Sequence, residues 1–252
     1  MSRERVDGGT LTIDETTLPI DVEVNPRARR LILRLGRERR VRVTCPSKRH
    51  IRDAIAMAHS RREWLAARLR EQPHPIAFLP GAHLPVLEDR YEIVHTGRVR
   101  DAAWFEPGRI ITGGPDARGI ARRVETLLRQ TALNAFEDDA HRLAARLDVD
   151  VSGVQVRQMS SRWGSCSPDG ALTFNWKLIF APRPVMFYVA AHEVAHLVHM
   201  DHSSAFWALV NRLDPDYQSA ATWLRQRGAQ LHAYGHPPDD ETALPLAVDQ
   251  VG

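Results

Sequence analysis

A histidine, a glutamate and a second histidine stand at positions 192, 193 and 196, and a third histidine follows at 202. On a helix, residues four apart share a face with Cβ atoms about 5–6 Å apart. His192 and His196 can therefore close on one metal ion at about 2.0–2.1 Å from each ring nitrogen. Glu193, one step round the helix, is placed to take a proton from a water on that ion without ligating it. These residue types at this spacing are the working parts of a zinc hydrolase. The plainer explanation is two partly buried core histidines, but two imidazoles and a carboxylate on an apolar segment are costly unless something uses them.

The third ligand sets the subclass. The only glutamate after Glu193 is Glu241, near the C-terminus, which argues against a glutamate ligand from a later helix. His202 precedes Ser203-Ser204, which suit the N-cap of a further helix, so it falls on the turn where the chain leaves the metal helix. Its distance from His196 equals that of metzincins, with His199 standing where they have glycine. His199 is the competing ligand. A continued helix would carry it two turns beyond His192, about 10 Å by helical rise, too far for one ion. The expectation is zinc on His192, His196 and His202, with Glu193 as general base and His199 either lining the cleft or merely exposed. A further oxyanion donor would help, and Arg162, His199 and Tyr217 are the candidates.

The elements that must position these residues can be followed along the chain. Short strands are expected at Leu11 to Ile13, Ile20 to Val24, Leu31 to Leu35 and Val41 to Thr44. A helix follows from about Arg49 to Arg70, ended by Pro73 and Pro75. More short strands run up to Thr112, and Gly113-Gly114-Pro115 marks the best internal boundary. From about Ala117, Ile120, Val124, Leu127, Leu133, Phe136, Ala140, Leu143 and Leu147 step by threes and fours, the mark of a long amphipathic helix. Val154 and Val156 mark a strand, and Leu172, Phe174 and Trp176 alternate on another after a turn at Pro168-Asp169-Gly170. Pro184 suits the first turn of the metal helix. The expected division is a β-rich region with one helix over 1–114, a catalytic domain over 115–233, and a tail over 234–252.

The 252 residues carry 34 Lys and Arg against 31 Asp and Glu, and only two cysteines. Two cysteines make no disulfide framework, which fits a reducing cytoplasm, and no apolar run approaches a membrane span. The start of the chain lacks the apolar stretch of a signal peptide. Cys166 lies near the motif, but its expected role is structural. Arg27, Arg29, Arg30, Arg34, Arg37, Arg39, Arg40, Arg42, Lys48 and Arg49 crowd one stretch, and such a cluster can meet the phosphates of nucleotides or nucleic acid. No aromatic residue interleaves with them as a stacking site would need, so the favoured reading is the outer face of strands.

The segments Ser161-Arg162-Trp163-Gly164-Ser165-Cys166-Ser167, Leu172 to Pro182, Tyr188 to Leu197, Asp201 to Trp207 and Asp214-Pro215-Asp216-Tyr217 resemble the YgjP-like metallopeptidase-domain family, which is related to the SprT-like and WLM zincins. Strong motifs span Met159 to Trp223, and weaker similarity reaches most of the chain. The resemblance implies an α+β, zincin-like catalytic domain whose H-E-x-x-H helix packs on a small antiparallel sheet, with a β-rich N-terminal region. It also implies zinc on His192, His196 and His202 and Glu193 as base, and all four positions carry the family's residues. Leu87-Glu88-Asp89 departs from the family, which often has a glycine turn there. The function expected is hydrolysis of peptide bonds in a protein or peptide substrate. Two alternatives stay open, a hydrolase of nucleotide phosphoanhydrides and a protease of nucleic-acid-bound proteins. For the Arg162-Trp163-Gly164 turn, a buried tryptophan plug and a substrate-binding role are both open, and a strand at Met159-Ser160-Ser161 could pair with an extended peptide.

Overall fold

The computed structural model describes residues 4–36, 39–71, 75–98 and 102–236, and the chain divides into two compact units, residues 1–74 and 75–252. Alternating apolar residues build the first. β1 (Glu4–Ile13) and β2 (Thr16–Val24) form an antiparallel hairpin, β3 (Ile32–Leu35) and β4 (Val41–Cys45) a second antiparallel pair. β2 runs parallel to β4, giving the order β1-β2-β4-β3. The single helix expected to Arg70 is two, α1 (Ile51–Ser60) and α2 (Arg62–Glu71), parted at Arg61 with φ −100° and ψ 22°. Every second residue of a strand faces one side; here Leu18, Ile20, Val22, Val41 and Val43 are buried in one core with Ala54, Ala58 and Leu65 of the helices. β1 starts well before Leu11. Its polar first half takes its strand conformation from pairing with β2, across a bulge between Asp7 and Thr10 that shifts the register. Arg37 of the basic stretch and Pro73 lie outside the described residues.

The second unit holds the histidine motif. It opens with β5 (Ile76–Ala77), then β6 (His83–Val86), β7 (Asp89–His95), β8 (Trp104–Glu106) and β9 (Arg109–Thr112), of which the last four make a sheet in the order β6-β7-β9-β8. Leu87, in the turn between β6 and β7, takes φ 57°, the left-handed region that glycine enters without steric cost. Its N–H is held by the Ile179 carbonyl at 2.8 Å. Gly113-Gly114-Pro115 leads from β9 directly into α3 (Ala117–Ala145), inside this unit. The division falls at His74/Pro75 because Leu84, Val86, Ile93 and Ile110 share one core with Val124, Leu128 and Phe136 of that helix. Asp116 caps α3 by accepting from the Gly119 N–H at 2.7 Å.

β10 (Gly153–Arg157), β11 (Gly164–Cys166) and β12 (Ala171–Asn175) form a sheet in the order β10-β12-β11. It is antiparallel between β11 and β12 and parallel between β10 and β12. The parallel half arises because residues 158–163 carry the chain from one side of β12 to the other before the hairpin closes. Phe136 of α3 stacks on Phe174 of β12 with ring centroids 4.1 Å apart. A buried 3-10 turn over Trp176–Phe180 leads into α4 (Arg183–Ala195), then α5 (Ser204–Leu213), α6 (Tyr217–Leu231) and β13 (Tyr234–His236), which runs parallel to β5. The fold is α+β. No helix among the described residues is long and apolar enough to cross a membrane, and the tail expected from 234 lies, beyond residue 236, outside them.

One ion cluster fixes α4 to α3. Asp139 is fully buried on α3 and accepts two hydrogen bonds from Arg183, at 2.6 and 2.7 Å, and a third from Arg142 at 2.5 Å. Removing one partner of a buried pair costs about 3–5 kcal/mol, whereas an exposed partner contributes about 0–1 kcal/mol. Arg183→Met is therefore expected to lower unfolding stability in urea by about 3 kcal/mol. Arg142→Met, whose side chain is 62% exposed, should change it by less than about 1 kcal/mol. Equal losses in the two variants would show that the Arg183 bridge is not what anchors α4.

Candidate active site

α4 begins behind Pro182, with Pro184 in its first turn, where a missing N–H leaves nothing unpaired. Val185, Met186, Tyr188, Val189, Ala190, Ala191, Val194 and Ala195 are all buried, so the helix is apolar nearly all round and belongs in a core. It ends at Ala195, with His196 as its C-cap. A turn follows in which the N–H groups of Val198 and His199 bond the Ala195 carbonyl at 3.1 and 3.0 Å. The chain then reverses through Asp201 and His202, and Ser203 caps α5 by accepting from the Phe206 N–H.

This reversal brings together the three histidines read from the sequence. One ring nitrogen from each of His192, His196 and His202 lies within 4.8 Å of the others. His192 Nε2 and His202 Nε2 are 3.2 Å apart. Two nitrogens at about 2.05 Å from one tetrahedral ion stand about 3.3 Å apart, so the pair already has the separation an ion would impose. His196 Nδ1 meets the His199 carbonyl at 3.0 Å. That contact places the proton on Nδ1 and leaves Nε2 as a lone pair for a metal. His199 is absent from the convergent trio and contributes this backbone oxygen instead. His192 Nδ1 is buried with no hydrogen-bond partner among the described residues, so only His196 of the two helical histidines has a supporting acceptor. Burial, then the neighbouring His196 and His202, push the His192 ring down to a pKa of about 4, which keeps it neutral, the form that ligates.

An aromatic wall surrounds the trio. Phe206 stacks on His196 at 4.5 Å and lies 5.0 and 4.8 Å from His192 and His202, and Trp207 adds contacts at 5.7 Å to His192 and 5.9 Å to His202. Tyr188, one turn before His192, closes another side at 6.0 Å. Tyr217, a candidate oxyanion donor, stacks against Tyr188 and Trp207. Phe206 and Trp207 could have been suspected from the sequence, since they follow His202 by one helical turn.

Glu193 is buried at 5% exposure, and burial pushes its carboxyl up to about 7 against two opposing influences, the charge of Arg162 and a hydrogen bond from the Cys166 backbone. Space for that carboxyl exists because residue 164 is glycine: a Cβ there would stand 2.6 Å from Glu193 Cγ and 2.8 Å from Cδ, and closer still to Oε1. The sequence reading missed both Gly164 and the Cys166 N–H. Burial, then the charges of Glu193 and Asp169, raise the Cys166 thiol to about 11. A thiol that holds its proton is a poor nucleophile.

The strand expected at Met159-Ser160-Ser161 lies at Gly164–Cys166 instead, as β11, one of the two outer strands of its sheet. Residues 159–163 form the loop before it, and fully buried Asn175 fastens that loop. Its side chain donates to the Met159 carbonyl at 2.9 Å, and its N–H donates to the Trp163 carbonyl at 2.8 Å. Trp163 stacks on His232 at 4.9 Å and lies against Gly228, so it plugs the loop into α6 and leaves neighbouring Arg162 exposed beside Glu193.

A family model described as "YgjP-like, metallopeptidase domain" matches residues 29–227. No curated protein is similar enough to match. Among solved structures, the chain is similar to the crystal structure of the metallopeptidase zymogen of Pyrococcus abyssi abylysin, at 23% identity, covering 36% of this chain and 93% of that one, with a TM-score of 0.33.

Proposed function

This chain belongs to the YgjP-like metallopeptidase-domain family, and on that premise we propose a zinc-dependent peptidase whose ion is held by His192, His196 and His202 and whose general base is Glu193. The observation that carries the reading is the convergence of three imidazole nitrogens within 4.8 Å, one step along α4 from a buried carboxylate. Three neutral nitrogen donors suit zinc, and with three protein ligands the set is that of a catalytic rather than a closed structural site. When bound, the ion supplies Lewis-acid polarisation of a carbonyl and lowers the pKa of a water to about 7.

The remaining work falls to the chain's own residues. Glu193, desolvated and held by the Cys166 N–H, accepts the proton of the attacking water and returns it to the leaving amine. The Arg162 charge opposes the effect of burial on that carboxyl and favours its ionised form. An extended peptide laid along β11 adds a strand to that edge, with its carbonyl carried toward the histidines. Arg162, exposed next to β11, and Tyr217, stacked on Tyr188, would hydrogen-bond the polarised oxygen. Phe206 and Trp207 pack their rings against the imidazoles and shield buried His196 from water, which strengthens electrostatic interactions there, while His202 stays exposed at the rim. Both cysteines are free, in keeping with a cytoplasmic enzyme.

Elemental analysis tests the ligand set. The purified protein is expected to carry about one zinc per chain. His192→Ala, His196→Ala and His202→Ala should each lose it, while His199→Ala, which keeps the backbone carbonyl that holds His196, should retain it. Full zinc in the His202 variant together with loss in the His199 variant would reverse the assignment of the third ligand.

A further inference from the structure

The N-terminal unit carries a second feature independent of the histidine centre. Residues 1–74 contain 17 Lys and Arg against 10 Asp and Glu, leaving 17 against 21 for the rest of the chain. The positive charge of the protein is therefore concentrated in this unit, and most of it lies between Arg27 and Arg70. A groove of about 350 Å³ opens there between β3 and the two helices, lined by Arg30, Leu31, Ile32, Leu33, Met57, Arg61 and Trp64. No acidic residue lines it among the described residues. Trp64 is 41% exposed, an unusual state for a large aromatic ring. At 100° per residue, Trp64 and Arg68 fall on one stripe of α2, and Glu63 falls away from it. The Arg68 guanidinium carbon sits 5.7 Å from the Trp64 ring centroid, a cation–π distance. Neither the Arg30 nor the Arg61 guanidinium makes a hydrogen bond or ion pair among the described residues.

We propose that this groove is a docking site for single-stranded nucleic acid. The arginine-rich stretch by itself lacks an aromatic partner, and the fold supplies one from α2, beyond the reach of a local reading. A cationic groove beside an exposed indole is the pairing that single strands need, the arginines for the backbone and the ring for a base. A volume of about 350 Å³ admits one base with its sugar. β3 is an outer strand of its sheet, with no strand paired on its far side among the described residues. A duplex, whose bases are already stacked, cannot use the indole.

Fluorescence anisotropy of a labelled oligothymidylate about 15 nucleotides long tests the site on the full chain. The wild type is expected to bind it more tightly than the matching duplex, with affinity falling as salt rises. Trp64→Ala should weaken binding by about tenfold or more, and Trp64→Phe should recover most of it. Arg30→Gln with Arg61→Gln should reduce the slope of log affinity against log salt by about 1.4, from 0.7 for each lost phosphate contact. Undiminished binding by Trp64→Ala would overturn the proposal. So would displacement of the oligonucleotide by polyglutamate as effective as by unlabelled oligonucleotide, which would make the groove a surface for acidic peptides.

Discussion

Glu193→Gln is expected to keep its metal and its fold and to lose peptide hydrolysis by about 10²–10⁴-fold. The amide matches the carboxylate in size and can still accept the hydrogen bond from the Cys166 N–H, so the packing around Gly164 is unchanged. What it cannot do is take a proton. The measurement is kcat/KM on unfolded proteins and peptide libraries, with zinc content and unfolding midpoint taken on the same preparation. Nucleoside triphosphates belong in the same assay. Zinc-dependent phosphate release without peptide cleavage would select phosphoanhydride hydrolysis over the peptidase reading. Activity that survives the substitution unchanged would remove Glu193 from the mechanism, whatever the substrate.

Gly164→Ala should separate the position of Glu193 from its chemistry. Ordinary van der Waals contact begins near 3.4 Å, and the added Cβ would stand at 2.6 Å from Cγ of Glu193. The carboxyl must retreat by roughly 1 Å, and a misplacement of that size costs on the order of 10²-fold in rate. Because the obstructing atoms belong to one side chain and not to backbone, the fold can yield there, and zinc should stay bound. Gly153→Ala is the control, since a Cβ at that position meets nothing within 4 Å, and its activity should equal the wild type. A Gly164 variant as active as the Gly153 variant would mean that the pocket for Glu193 has slack that the packing does not show.

The contrast between these two residues also shows what a sequence can and cannot disclose. His192, Glu193, His196 and His202 lie within eleven consecutive residues, so helical geometry and a cap at Ser203 suffice to bring them together. Gly164 meets Glu193 only because β11 packs on α4, and nothing local records that contact. The same holds for Asn175 and the 159–163 loop, for Phe206 over the histidines, and for Trp64 beside Arg30. Leu197 and Val198 continue the apolar character of α4, so the end of the helix at Ala195 was not legible. The extended first half of β1 was hidden for a similar reason: Arg5 to Thr10 are too polar to alternate, and their partner strand decides their conformation. At Leu87 the chain tolerates a left-handed residue that its composition gave no reason to expect.

The stop of α4 at His196 bears on which ions the site prefers. A helix gathers its peptide dipoles into about half a negative charge at its C-terminal end, felt within the last turn. His192 and His196 sit in that last turn, so the backbone itself presents a negative potential to whatever the imidazoles hold. Three neutral imidazoles would contribute no formal charge toward a divalent cation, and the helix end would supply part of the deficit without a carboxylate ligand. Had the helix continued through His199, that potential would have moved a further turn away.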